Sequence, residues 1–137
     1  MIKQIVTDPI FLSLKSEPAS EEDLQTVKDL TDTLRANRER CVGMAANMIG
    51  VRKTILAAQL GGKIRIMINP AITAHSKECY DAEEGCLSLT GTRTAKRWKK
   101  ITVTYLDENF RKKTGVFKDF EAQIIQHEIN HFDGILI

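Results

Sequence analysis

QHEINHFDG, residues 126–134, sets His127 and His131 four apart with Glu128 beside the first. At about 100° per residue, positions four apart lie nearly one above the other on a helix, so both imidazoles address one point. Asp119 is placed to cap that helix and Gly134 to end it. Two histidines with an adjacent glutamate suit a Zn²⁺ or Fe²⁺ ion that activates water, the glutamate taking the proton. H-E-x-x-H is also short enough to arise by chance, both histidines then being packed or surface residues of a short helix.

Such a site needs a third protein ligand. A metzincin carries a third His six residues after the second, and that position is Ile137. A thermolysin-like enzyme takes a Glu from farther downstream, where this sequence has no residues. The third ligand is therefore expected upstream, among Cys41, His75, Cys79, Cys86 and assorted carboxylates. Cys86 is the strongest of these. It sits in EEGCLSL, where Gly85 lets the backbone approach closely and an extended segment follows. A thiolate there gives two His, one Cys and an open position for water, whereas an isolated Cys reads as a small buried hydrophobe.

Working backwards from the final helix, KITVTYLDE and RKKTGVFKD alternate with period 2 on either side of Asn109 and Phe110, which predicts a hairpin. TILAAQL and GGKIRIMIN predict another, turning at Gly61-Gly62. After Pro70, AITAHSKECY predicts a third strand and DAEEG an acidic turn. CVGMAANMIG, residues 41–50, is small, apolar and turn-like. Ser20 can cap a helix over 21–37, with Leu24, Val27, Leu30 and Leu34 forming one stripe and Glu21, Glu22 and Asp23 at the favourable end of its dipole. Helix, several strands, helix, with no alternating strand–helix units, is α+β with a mostly antiparallel sheet, an N-terminal helix and a C-terminal HExxH helix. No repeat or linker divides residues 1–137, so one domain is expected.

Composition narrows the function classes. At 42% apolar and 28% charged residues the chain reads as a soluble globular domain, and a net charge of +2 gives no case for specific nucleic-acid binding. The one basic cluster, RTAKRWKK, holds Arg93, Lys96, Arg97, Lys99 and Lys100, and reads as a charged edge strand in preference to a phosphate-binding patch. Asp8 and Pro9 interrupt the N-terminus, so no signal peptide is expected, and no stretch approaches a membrane span. Three cysteines without a C-x-x-C pair point to the reducing cytoplasm.

Three segments in order, GMAANMIG (43–50), EGCLS (84–88) and HEINH (127–131), resemble the three motifs of the peptide deformylase family, written G-x-G-L-A-A-x-Q, E-G-C-L-S and Q-H-E-x-D-H. The resemblance covers nearly the whole chain. It implies a cytoplasmic enzyme that removes the formyl group from N-terminal formyl-methionine of nascent polypeptides, with one divalent ion, natively Fe²⁺, replaceable by Zn²⁺ or Ni²⁺. It also implies a transient association with the ribosome. Carried across, Cys86, His127 and His131 match the metal ligands, and Glu128 matches the general acid/base. The Leu87 N–H matches a donor to the developing oxyanion. Gly43 would hold the peptide in a strand-like pose, with Met44 and Ile124 as walls of the methionine pocket.

This sequence departs from the motifs at three positions. Met48 stands where the family has the glutamine thought to hold the formyl oxygen, and a thioether donates no hydrogen bond. Cys41 replaces the first glycine and is expected to crowd the peptide path. Asn130 replaces an aspartate, removing a charge behind the metal. The sequence stops soon after Gly134, so the C-terminal helix that carries ribosome contacts in some members is expected to be missing. The favoured reading is a deformylase of reduced or altered activity. The alternative is a non-catalytic or weakly active deformylase-like protein that binds metal or a peptide end, with a small zincin peptidase using a carboxylate ligand third.

Overall fold

In the computed structural model, which describes residues 1–137, a short helix α1 (Pro9–Leu12) precedes a longer helix α2 (Leu24–Ala36). Seven strands follow: β1 (Gly43–Ala45), β2 (Ile55–Leu60), β3 (Lys63–His75), β4 (Cys79–Cys86), β5 (Leu89–Trp98), β6 (Lys100–Leu106) and β7 (Lys112–Lys118). Helix α3 (Asp119–Phe132) closes the chain. Five strands form one sheet in the order β1-β2-β3-β6-β7, and β4 and β5 pair apart from it. Every one of these pairings is antiparallel, as the α+β reading expects.

The large sheet lies between the two longer helices. On β2, Ile55 and Ala57 join Val27, Leu30 and Leu34 of α2 in one core. The alternate residues Leu56, Ala58 and Leu60 join Ala122, Ile124 and Ile125 of α3 in the other. Covering both faces is why β2 opens with four apolar residues in a row, Ile55 to Ala58. Ser20 caps not α2 itself but the 3-10 turn Glu21–Asp23 that leads into it. Its hydroxyl accepts from Glu22 N at 3.3 Å, and Asp23 reaches back to Ser20 N at 2.8 Å.

Three local expectations need correction. Residues 71–75 do not start a new strand; they continue β3 past Pro70, with the register slipping between Ile68 and Ala71. Pro lacks an N–H, and the irregularity absorbs it. DAEEG is not a turn either but the middle of β4. Asp81 lies across from Lys96 and Glu83 across from Thr94, so the acids of β4 are matched by the basic β5. Asp119 does not cap α3. It is the first helical residue, at φ 55°, and Lys118 occupies the N-cap without a side-chain bond.

The other end of α3 behaves as expected. Gly134, at φ +74°, donates to His131 O at 3.1 Å, and Ile135 N donates to Asn130 O at 3.1 Å. These two bonds satisfy carbonyls that the last turn would otherwise leave open. A Cβ on Gly134 would collide with the carbonyl oxygen of Ser13, so the glycine is needed for space as well as for its positive φ. Gly134→Ala is expected to destabilise the protein by about 1–3 kcal/mol, read as a lower chemical-denaturation midpoint. An unchanged midpoint would mean that the helix end repacks freely.

Candidate metal centre

His127, Glu128 and His131 are all buried on the inward face of α3. The helical rise brings the two imidazoles edge to face, with their Nε2 atoms 3.1 Å apart. Cys86, at the end of β4, brings its Sγ to 3.6 Å from His131 Nε2. The donor atoms of Cys86, His127 and His131 all lie within 4.8 Å of one another. A tetrahedral cation with nitrogen at about 2.05 Å and sulfur at about 2.3 Å has N–N and N–S edges of about 3.3 and 3.5 Å. The donor set fits such an ion.

The other upstream candidates stand elsewhere. His75 stacks on Trp98, with ring centroids 3.8 Å apart and planes 7° from parallel. Cys79 is exposed at the start of β4. Cys41 lies on the cleft wall with its Sγ 2.7 Å from Gly43 O, outside the donor cluster. Burial, followed by the charge of Glu128, pushes the Cys41 thiol up to about 12, so it stays neutral.

Behind the donors is a buried charged network. Glu84 Oε1 lies 2.8 Å from His127 Nδ1, which holds the ring so that Nε2 faces the cluster. Arg97 grips the same carboxylate with two bonds, Nε to Oε2 at 2.9 Å and Nη2 to Oε1 at 2.6 Å, and its Nη1 donates to Asn130 Oδ1. Burial would raise the Glu84 carboxyl, but the bonds from Arg97 and His127 outweigh it and hold the group near 2. Gln126 adds a second tie. Its side chain accepts from Trp98 N and donates to Trp98 O, both at 2.9 Å, which seats β5 against α3.

These residues escape a sequence reading because RTAKRWKK looks uniformly solvated. In fact Ala95 and Arg97, two apart on β5, both turn inward. Period 2 was the available signal, hidden by Lys96 between them and by Lys99 and Lys100 beyond. Asn130 keeps an acceptor for Arg97 although it lacks a charge. Glu84 is therefore the only carboxylate hydrogen-bonded to Arg97.

The electrostatics call for positive charge between the histidines. Burial lowers His127, yet Glu128, Cys86 and Glu84 together raise it to about 10. Burial, then the charges of His127 and Arg97, pushes His131 down to about 3.

A cleft of about 410 Å³ opens beside the donors, bounded by β1, the β4–β5 turn and α3. Glu128 lines it. Burial pushes its carboxyl up to about 7, and its Oε1 has no hydrogen-bond partner. Ile124 and Leu87 also line it, and the Leu87 N–H has no partner within the chain. Val42 O accepts from Gln59 N, so the next residue, Gly43, turns its N–H and C=O to the free edge of β1. A Cβ on Gly43 would lie 2.7 Å from Ile124 and 2.8 Å from Glu128. Only glycine permits that approach.

Two expected pocket residues lie differently. Met44 is fully buried with the α2 core and does not line the cleft, because alternation along β1 sends it to the face opposite Gly43. Met48 is also buried, with Sδ 4.0 Å from Cys86 Sγ.

The family model described as polypeptide deformylase matches residues 2–137. A peptide deformylase of Clostridium beijerinckii is 58% identical over 137 residues, covering all of both chains. One from Pseudothermotoga lettingae is 36% identical, over 99% of this chain and 81% of its own. Among solved structures, peptide deformylase from Ehrlichia chaffeensis superposes with a TM-score of 0.90 at 32% identity, over 99% of this chain and 86% of that one. The same protein in complex with actinonin gives 0.89 at 33%, over 98% and 86%.

The depressed Glu84 pKa has a consequence for stability. A carboxylate held below its ordinary value of 4.5 stabilises the fold fully above that pH and loses its contribution as pH falls towards about 2. In metal-free protein, Glu84→Gln is expected to be less stable than the parent at pH 6, with the gap narrowing steadily below pH about 4.5. Denaturation at several pH values reads it. A gap constant down to pH about 2.5 would contradict the ion pair.

Proposed function

The chain belongs to the peptide deformylase family, and we propose that its metal-dependent removal of N-formyl groups from nascent peptides runs on Cys86, His127, His131 and Glu128. The observation that carries this assignment is the convergence of three donors within 4.8 Å beside a buried, unpartnered carboxylate oxygen. Cys86, His127 and His131 hold the ion. It is a borderline-soft divalent cation in keeping with the imidazole and thiolate donors, Fe²⁺ natively and Zn²⁺ or Ni²⁺ in its place. When bound, it polarises the formyl carbonyl and makes water a stronger acid.

The chain supplies the rest. Gly43 offers its outward N–H and C=O to the peptide backbone, as an added strand does at a sheet edge. Ile124 contributes apolar wall to the pocket for the methionine side chain. Glu128, with its proton affinity near neutrality, takes a proton from the attacking water and passes it to the leaving amine. The Leu87 N–H donates to the oxygen as charge develops on it. Glu84 keeps His127 in the tautomer that presents Nε2.

The enzyme acts on formyl-methionyl peptides, as one deformylase-like domain over residues 1–137. Substrates that are still being synthesised bring it to the ribosome, so a transient association follows from the reaction. No helix is long and apolar enough to cross a membrane, and none of Cys41, Cys79 and Cys86 is in a disulfide. A cytoplasmic location accords with both.

Met48 leaves the oxygen-binding site without a side-chain donor. In an assay on formyl-methionyl peptides with anaerobically purified Fe²⁺ protein, Glu128→Gln should lose about 10²–10⁴ in kcat while still binding metal. Met48→Gln should gain, by up to about 10². Full activity of Glu128→Gln would remove the glutamate from the mechanism. No gain from Met48→Gln would separate position 48 from the oxyanion.

A further inference from the structure

Met48 occupies a 3-10 turn, Ala46–Ile49, directly after β1, and is 1% exposed. The turn packs with the α2 core, where any apolar side chain of this size would fill the space. What methionine adds is a soft lone pair, and it is delivered to the metal-donor cluster. Its Sδ lies 4.0 Å from Cys86 Sγ.

That separation matches one edge of a coordination polyhedron. Two sulfurs on one tetrahedral cation at about 2.3 Å stand about 3.8 Å apart, against about 3.5 Å for sulfur and nitrogen and about 3.3 Å for two nitrogens. The three corresponding distances here are 4.0, 3.6 and 3.1 Å. The Cys86 thiol can donate to Met48 Sδ at this distance, but a thioether is only a weak acceptor. Nor is the position fixed by flexibility alone, because the turn is closed by Gly50 N donating to Asn47 O at 3.1 Å and Val51 N to Ala46 O at 3.1 Å.

We propose that Met48 is a fourth protein ligand, a thioether, to the cation held by Cys86, His127 and His131 in the resting protein. The proposal rests on the metal centre described under the proposed function. It makes the donor set two imidazoles, one thiolate and one thioether, which favours softer ions such as Cu(I) and Zn²⁺ over Mn²⁺. A neutral thioether carries no proton and no charge, so it can yield its position to water or substrate without a titration step. The residue that removes a hydrogen-bond donor from the site thus supplies a labile ligand in its place.

The test is X-ray absorption at the zinc edge on Zn²⁺-loaded full-length protein and on Met48→Leu. Two sulfur neighbours in the parent and one in the variant are expected. One sulfur in both overturns the role of Met48 and leaves the Cys86–His127–His131 centre standing. No sulfur in either, with zinc bound, overturns that centre and the proposal together. A second measurement needs no variant. In protein carrying methyl-¹³C methionine, loading with ¹¹³Cd²⁺ should shift and split one methyl signal of the four, that of Met48, and leave Met1, Met44 and Met67 in place. A cadmium-loaded sample with all four signals unmoved would overturn the proposal.

Discussion

The bidentate pair between Arg97 and Glu84 is the contact on which the active site depends. β4 and β5 stand apart from the five-stranded sheet, so little but side chains holds that hairpin to α3. Arg97 reaches from β5 to Glu84 on β4 and to Asn130 on α3, while Glu84 reaches His127 on the same helix. Cys86 is only two residues beyond Glu84. Whatever fixes Glu84 against His127 therefore also fixes the thiol against the two imidazoles. Such a buried pair is a poor source of net stability, because desolvation consumes most of its Coulombic gain. Its value here is geometric, and removing one partner alone costs about 3–5 kcal/mol by stranding the other charge.

The catalytic helix was legible in the sequence because its signal is local. A four-residue spacing and a glycine at the end are each readable without a partner. Cys86 was legible too, but only through its EGCLS context. Strand β4 was not, since DAEEG read alone resembles a turn, and β5, read as a charged edge strand, gave no sign that it pairs with those acids. Arg97 is the sharpest case. A buried guanidinium inside RTAKRWKK is marked only by alternation with Ala95, and its reason lies thirteen residues away at Glu84. Met44 shows the opposite limit, where motif position suggested a pocket wall and the pleat of β1 turned the side chain into the other core.

The departures from the family motifs are absorbed in different ways. Asn130 loses a charge but keeps its oxygen on Arg97, so the clamp remains closed and Glu84 carries the guanidinium. Cys41 meets the carbonyl of Gly43 at the strand edge where a peptide would pair. Met48 fills its turn without strain and exchanges a hydrogen-bonding amide for a sulfur among the metal donors. In the proposed mechanism all three bear on how the metal and peptide are held, and none replaces Glu128, the proposed acid/base. On that mechanism this enzyme's individuality lies in ligand and substrate geometry.

The most direct test of the Arg97–Glu84 clamp is the Zn²⁺ affinity of Arg97→Met, measured by chelator competition on folded protein. The variant should bind about 10- to 100-fold more weakly than the parent, as loss of the groups that orient a metal ligand typically brings. Equal affinity would contradict the account, because Cys86 and His127 would then find their positions without the pair.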